Sequence, residues 1–143
     1  MKVKIKSKDV LEIVVAFVVA WLFYQGLGFA AGTGMPIVSV VSESMEPVLH
    51  RGDLLLVTGA ATADDLKIGD VVVYQKPEIP YTIVHRIIGE QTDANGVTGY
   101  IIKGDNNPAP DPRTVTFEEI KGKVIGGVPL LGYPRLALMI FGI

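Results

Sequence analysis

Two hydrophobic textures divide this chain. From Ile13 to Ser42 no residue is charged, and the densest part, Ile13–Ala31, reads I-V-V-A-F-V-V-A-W-L-F-Y-Q-G-L-G-F-A-A. Apolar residues surround such a helix instead of lining one stripe, which suits lipid better than one face of a small core. At a rise of 1.5 Å per residue the run spans roughly 28 Å, about one hydrocarbon core. The pattern predicts a short N-terminus at 1–9 and one transmembrane anchor at 10–31. A cleavable signal peptide shares the basic start, and Gly28-Phe29-Ala30 would give it a small-x-small ending. Its apolar region is only about 7–15 residues, however, so length favours an uncleaved anchor.

Beyond Gly32 the pattern shortens to β-type runs: Ile37–Val41, Leu54–Val57, Val71–Tyr74, Thr82–Ile88, Tyr100–Lys103, Thr114–Phe117 and Lys123–Ile125. Gly, Pro, Asp and Asn punctuate them, the mark of a small antiparallel barrel or sandwich. Thr62-Ala63-Asp64-Asp65-Leu66 is the only helical hint, one capped turn. The expected fold is therefore mainly β, with the β domain at 32–123 behind the single helix. The remaining 124–143 reads as an apolar tail containing Pro129, Pro134 and Arg135. Only eight residues follow Arg135, too few to span a bilayer, so the tail fits either a segment resting on the membrane or the start of a second anchor.

Charge gives the anchor a direction. Lys2, Lys4, Lys6 and Lys8 precede it, so the positive-inside rule puts the N-terminus in the cytoplasm and the β domain on the extracytoplasmic side. The net charge of −2 argues against a nucleic-acid partner. The absence of cysteine removes disulfides, Cys-ligated zinc and thiol catalysis together. Phosphate-binding and metalloprotease motifs are missing as well, so neither a cofactor nor a metal is expected. The Asp105-Asn106-Asn107 run starts like a calcium loop, but Ala109 and Pro110 occupy positions that such a loop needs for a ligand and a glycine.

Serine, histidine and aspartate remain. His85 lies in Y-T-I-V-H-R-I-I, where alternation puts Tyr81, Ile83, His85 and Ile87 on one strand face. A histidine on such a face is commonly structural, yet the hairpin gives it company. With Asn95-Gly96 as a two-residue turn, residue i faces residue 191−i, and His85 falls opposite Asn106. The loop Gly104–Asp111 is thereby brought to the imidazole, with Asp105 nearest in register. A carboxylate there would fix the tautomer, as a general base requires. His50, in L-H-R-G-D, reads as an exposed turn residue. Ser42 and Ser44 in V-V-S-E-S-M-E-P end a strand before Pro47, where a hydroxyl can stand near backbone N–H groups.

Taken in order, these segments resemble the type I signal peptidases, in particular the archaeal and endoplasmic-reticulum branch. An anchor is followed by S-E-S-M-E-P (Ser42–Pro47), R-G-D-L-L-L-V (Arg51–Val57), G-D-V-V-V-Y (Gly69–Tyr74), H-R-I-I-G (His85–Gly89) and K-G-D-N-N (Lys103–Asn107). The resemblance implies that Ser44 is the nucleophile, His85 the general base and Asp111 its orienting acid. It gives Asp105 a supporting role and Ser42 a place in the oxyanion hole. The hairpin arithmetic favours Asp105 over Asp111 beside the histidine. The resemblance also places His85 where the bacterial branch carries its lysine base.

The function so implied is a membrane-bound serine endopeptidase that removes signal peptides from secretory preproteins after small residues, at A-x-A type sites. It would work in the cell or endoplasmic-reticulum membrane beside the protein-translocation machinery. Two rivals stand against it. One is a non-enzymatic anchored β-domain that binds surface or secreted partners. The other is a self-cleaving peptidase of the repressor type with a lysine base, for which Lys67, Lys76, Lys103, Lys121 and Lys123 are the lysines outside the N-terminus.

Overall fold

A computed structural model of the protein describes residues 6–131. Lys2 and Lys4, and the part of the apolar tail carrying Pro134 and Arg135, lie outside them. Helix α1 runs Ser7–Ala31, with no buried residue along it. Twenty-five residues span about 37 Å, enough to cross a bilayer. At its start Asp9 accepts the Lys6 N–H at 2.9 Å. At its end Gly32 adopts a left-handed conformation, and the Thr33 N–H reaches back to the Gly28 carbonyl at 3.0 Å.

The helix does not end in a free linker. The Ala31 carbonyl accepts the Gly59 N–H at 2.7 Å and the Thr58 hydroxyl at 3.1 Å. Thr33 donates its hydroxyl to the Lys121 carbonyl at 2.6 Å. A Cβ on Gly59 would stand 1.9 Å from the Gly32 carbonyl oxygen, so only glycine allows this approach.

The β domain is one curled, seven-stranded antiparallel sheet, a half-barrel: β1 (Ile37–Ser39), β2 (Leu54–Thr58), β3 (Val71–Tyr74), β4 (Ile83–Thr92), β5 (Thr98–Lys103), β6 (Val115–Thr116) and β7 (Ile120–Val128), in the order β1-β2-β7-β3-β4-β5-β6. The fold is mainly β behind one apolar helix, as the patterning predicts. The capped turn at Thr62 is a single 3-10 turn, Ala63–Asp65. The boundary drawn after Lys123 falls inside β7. Val124–Val128 are no tail; they belong to β7, which pairs with β2 inside the sheet. Their weak alternation, with Gly126 and Gly127, hides a strand that supplies more backbone than side chain.

Both faces of the sheet carry a core. Val72 and Tyr74 join Leu66, Ile87, Tyr100, Ile102 and Val115 on one side, while Val73 joins Val38, Val40, Leu55 and Val57 on the other. β3 is therefore buried on both faces, which its unbroken V-V-V-Y run already suggests.

The β4–β5 hairpin corrects the predicted register. The turn is not a two-residue Asn95-Gly96 loop. Asp93 accepts the N–H groups of Asn95 and Val97, both at 2.9 Å, and the Gly96 N–H bonds to the Asp93 carbonyl. This makes a type I turn followed by a left-handed glycine, and Thr92 pairs with Thr98. A bulge at Ile88 then slips the ladder by one more residue, so Arg86 faces Lys103. His85 consequently lies beside Gly104 instead of Asn106.

Candidate active site

The site forms where the chain leaving β1 meets the start of β4 and the loop after β5. Val40 extends the β1 ladder, donating to the Asp53 carbonyl and accepting from Gly52, both at 2.9 Å. The chain then turns, and buried Met45 anchors the turn. Asn106 clamps the turn from the other side: its N–H meets the Ser44 carbonyl at 2.8 Å and its side-chain amide meets the Glu43 carbonyl at 3.1 Å. Ser44 is thus held by its backbone, leaving its hydroxyl to face the histidine.

Ser44 Oγ lies 3.0 Å from His85 Nε2, and His85 Nδ1 lies 3.0 Å from Asp111 Oδ2. Asp111 is fixed in turn by its N–H on the Ile102 carbonyl at 2.8 Å and by the Tyr74 hydroxyl, which donates to the same Oδ2. Burial pushes the Asp111 carboxyl up, but the hydrogen bonds from His85 and Tyr74 and the nearby Lys76 charge outweigh it and hold the group below its ordinary value. An ionised carboxylate can only accept, so Nδ1 carries the imidazole proton and Nε2 presents its lone pair to the serine. The arrangement can take a proton from Ser44 as its oxygen attacks a carbonyl, and stabilise the resulting imidazolium. Ser42 Oγ stands 3.1 Å from Ser44 Oγ, within hydrogen-bond reach of it.

Asp105 occupies a different place from the one the hairpin arithmetic gave it. It grips Arg86 with two hydrogen bonds, at 2.9 and 2.7 Å, and that guanidinium lowers its carboxyl. Arg86 also donates to the Gly69 carbonyl at 2.7 Å. His50 sits in an exposed turn whose N–H bonds to Asp53 at 2.8 Å.

A groove of about 400 Å³ opens beside Ser44 and His85, between the Val38–Ser42 segment and the Tyr81–His85 segment, with Met45 and Asn107 also on its wall. No group of acidic and histidine residues able to hold a metal occurs among the described residues.

A family profile described as "Signal peptidase, peptidase S26" matches residues 10–121. The chain belongs to this signal peptidase family. Its relatives include the signal peptidase complex catalytic subunit sec11 of Sclerotinia sclerotiorum, 34% identical over 139 residues, covering 92% of this chain and 80% of that one. The SEC11 subunit of Eremothecium gossypii is 38% identical over 122 residues, covering 80% of this chain and 72% of that one. In Saccharomyces cerevisiae the corresponding subunit is 34% identical over 141 residues, covering 93% and 83%. Membership makes the chain a peptidase that removes signal peptides, and the non-enzymatic reading is set aside.

Two features of this signal peptidase site escaped the sequence reading. Tyr74 ends β3 on the histidine's side of the sheet, its ring centroid 6.3 Å from that of His85. The G-D-V-V-V-Y run places it there once β3 is paired with β4. Gly104 is the other. A Cβ on it would lie 2.6 Å from the Ser44 carbonyl oxygen and 2.9 Å from His85 Nε2, so the site closes only around a glycine. Lys76, one of the lysines considered as a base, is buried against the Tyr74 ring, its Nζ 5.7 Å from the centroid.

Proposed function

We propose that this peptidase cleaves preproteins through Ser44 as nucleophile, His85 as general base and Asp111 as the group that orients and charges the imidazole. The observation that carries this reading is the unbroken chain from Ser44 Oγ to His85 to Asp111, each link 3.0 Å. His85 takes the Ser44 proton while Oγ attacks the scissile carbonyl, then returns it to the departing amine. Water next attacks the acyl carbon while giving a proton to His85, and His85 passes that proton to Ser44 Oγ as the acyl–oxygen bond breaks. The Ser44 N–H and the Ser42 hydroxyl are assigned to the oxyanion, where fixed donors stabilise the charge that develops.

The substrate segment lies extended in the groove, pairing with the strand-like walls on either side and offering alternate side chains to one face. Val38, Val40, Ile83 and Val84 give that groove an apolar wall, which supports acceptance of small apolar residues on the A-x-A pattern. Helix α1 spans the membrane, with Lys6 and Lys8 at its cytoplasmic end and the site close to the opposite surface. The named relatives are catalytic subunits of a signal peptidase complex. This chain is assigned the same kind of assembly, in a secretory membrane beside the translocation machinery.

Reconstitution in liposomes tests the reading. Wild-type protein should cut a secretory preprotein after a small residue, and Ser44→Ala should leave the preprotein whole while preserving the β-rich circular-dichroism spectrum. Undiminished cleavage by Ser44→Ala would sink the assignment.

A further inference from the structure

Tyr74 has no exposed surface, and its ring sits in a core that phenylalanine would fill equally well. Its hydroxyl is the exception, because it donates to Asp111 Oδ2, the oxygen that also receives His85 Nδ1–H. Two donors therefore share one carboxylate oxygen, one from β3 and one from β4. The surrounding charges come from several elements. Lys76 faces both Asp111 and the Tyr74 ring, Arg113 and Glu119 act on Tyr74, and Asp105, engaged by Arg86, acts on His85 from the loop after β5.

We propose that Tyr74 is a positioning residue of the active site: its hydroxyl holds Asp111 in place and takes a share of its negative charge, tempering the basicity that Asp111 confers on His85. This rests on the assignment of His85 as the base. The consequence for turnover follows from acid–base matching. An imidazole facing an undivided carboxylate would keep its proton to higher pH, and a protonated base cannot activate Ser44. Burial and the Asp111 bond both push the Tyr74 phenol upward, so it remains a donor throughout the working range.

The chain contains only two histidines, His50 and His85, and the His50 side chain is 59% exposed. NMR titration of ¹⁵N-histidine-labelled protein in detergent thus reads the site directly, with His50 as internal reference. Tyr74→Phe should raise the His85 midpoint by about half a pH unit or more. Replacing Tyr74 with 3-fluorotyrosine, a stronger donor of the same shape, should lower it. His50 should not move in either case. In cleavage assays Tyr74→Phe should lose roughly tenfold in kcat, the worth of a hydrogen bond to a charged group, with KM within about twofold.

A His85 midpoint that stays in place in both variants, or moves the same way in both, overturns the proposal. If Tyr74→Phe does not fold, the sign of the fluorotyrosine shift decides alone. The titration needs no substrate. A failure of the wild-type protein to cleave preproteins would therefore count against the functional reading and leave this result standing.

Discussion

His85 and Arg86 are consecutive residues on β4, and each holds a carboxylate from the same loop. Alternation along the strand sends them to opposite faces, and this sorts the loop's acids. Asp111 reaches His85 and meets a buried tyrosine there; Asp105 reaches Arg86 and meets a guanidinium that is always charged. The first pair joins an imidazole, a group able to pass a proton, to Ser44, so its geometry bears on the proposed chemistry. The second pair is locked in one ionic state and acts as a brace, tying the loop to β4 and, through the Gly69 carbonyl, to the approach to β3. One loop thus supplies a chemical partner and a mechanical one, and neighbouring acids of the same charge are not interchangeable.

The largest break in that comparison comes from Asp111→Asn. The amide can offer His85 a donor instead of an acceptor, favouring the tautomer whose Nε2 already carries a proton. Cleavage should fall by about 10³- to 10⁴-fold in kcat, measured in single-turnover assays, while the thermal midpoint shifts far less. Gly104→Ala comes next, because its methyl group would press on both Ser44 and His85. It should cost about 1–3 kcal/mol of stability in denaturant unfolding. Preprotein cleavage should drop roughly a hundredfold through misplacement of the serine.

Asp105→Asn should have the smallest effect, a loss in turnover of about tenfold or less, because the brace acts at a distance from the reacting atoms. Its signature lies in the pH dependence of stability. Arg86 depresses the Asp105 carboxyl in the folded protein, so this contribution is complete above the unfolded-state value near 4 and disappears as pH falls through the folded value. The gap in thermal midpoint between wild type and Asp105→Asn should be widest at pH 6 and close toward pH 3. A gap that widens with acid would contradict the brace.

Much of this fold is legible in the amino-acid sequence alone, for physical reasons. Helix α1 shows because apolar residues run on every side of it, a pattern that suits lipid and that no packing partner blurs. Seven strands show because each carries β-type runs between turn residues. The end of β7 does not, since Gly126 and Gly127 contribute pairing without side-chain pattern. The choice between Asp105 and Asp111 was hidden for a different reason. It depends on hairpin register, and register depends on Asp93 capping its own turn and on a bulge at Ile88, neither of which alternation encodes. Tyr74 was hidden because a tyrosine closing an apolar strand reads as core, and only the position of its hydroxyl says otherwise.

The hydrogen bonds from Gly59 and Thr58 to Ala31 have a geometric corollary. They join the last turn of the anchor to the sheet without slack, so the phase of the helix is transmitted to everything beyond it. One residue added within α1 would lift the serine by only about 1.5 Å, but would swing it about 100° around the helix axis. In this architecture the length of α1 is a compass bearing as much as a height, setting which way the sheet and its groove face about the helix axis.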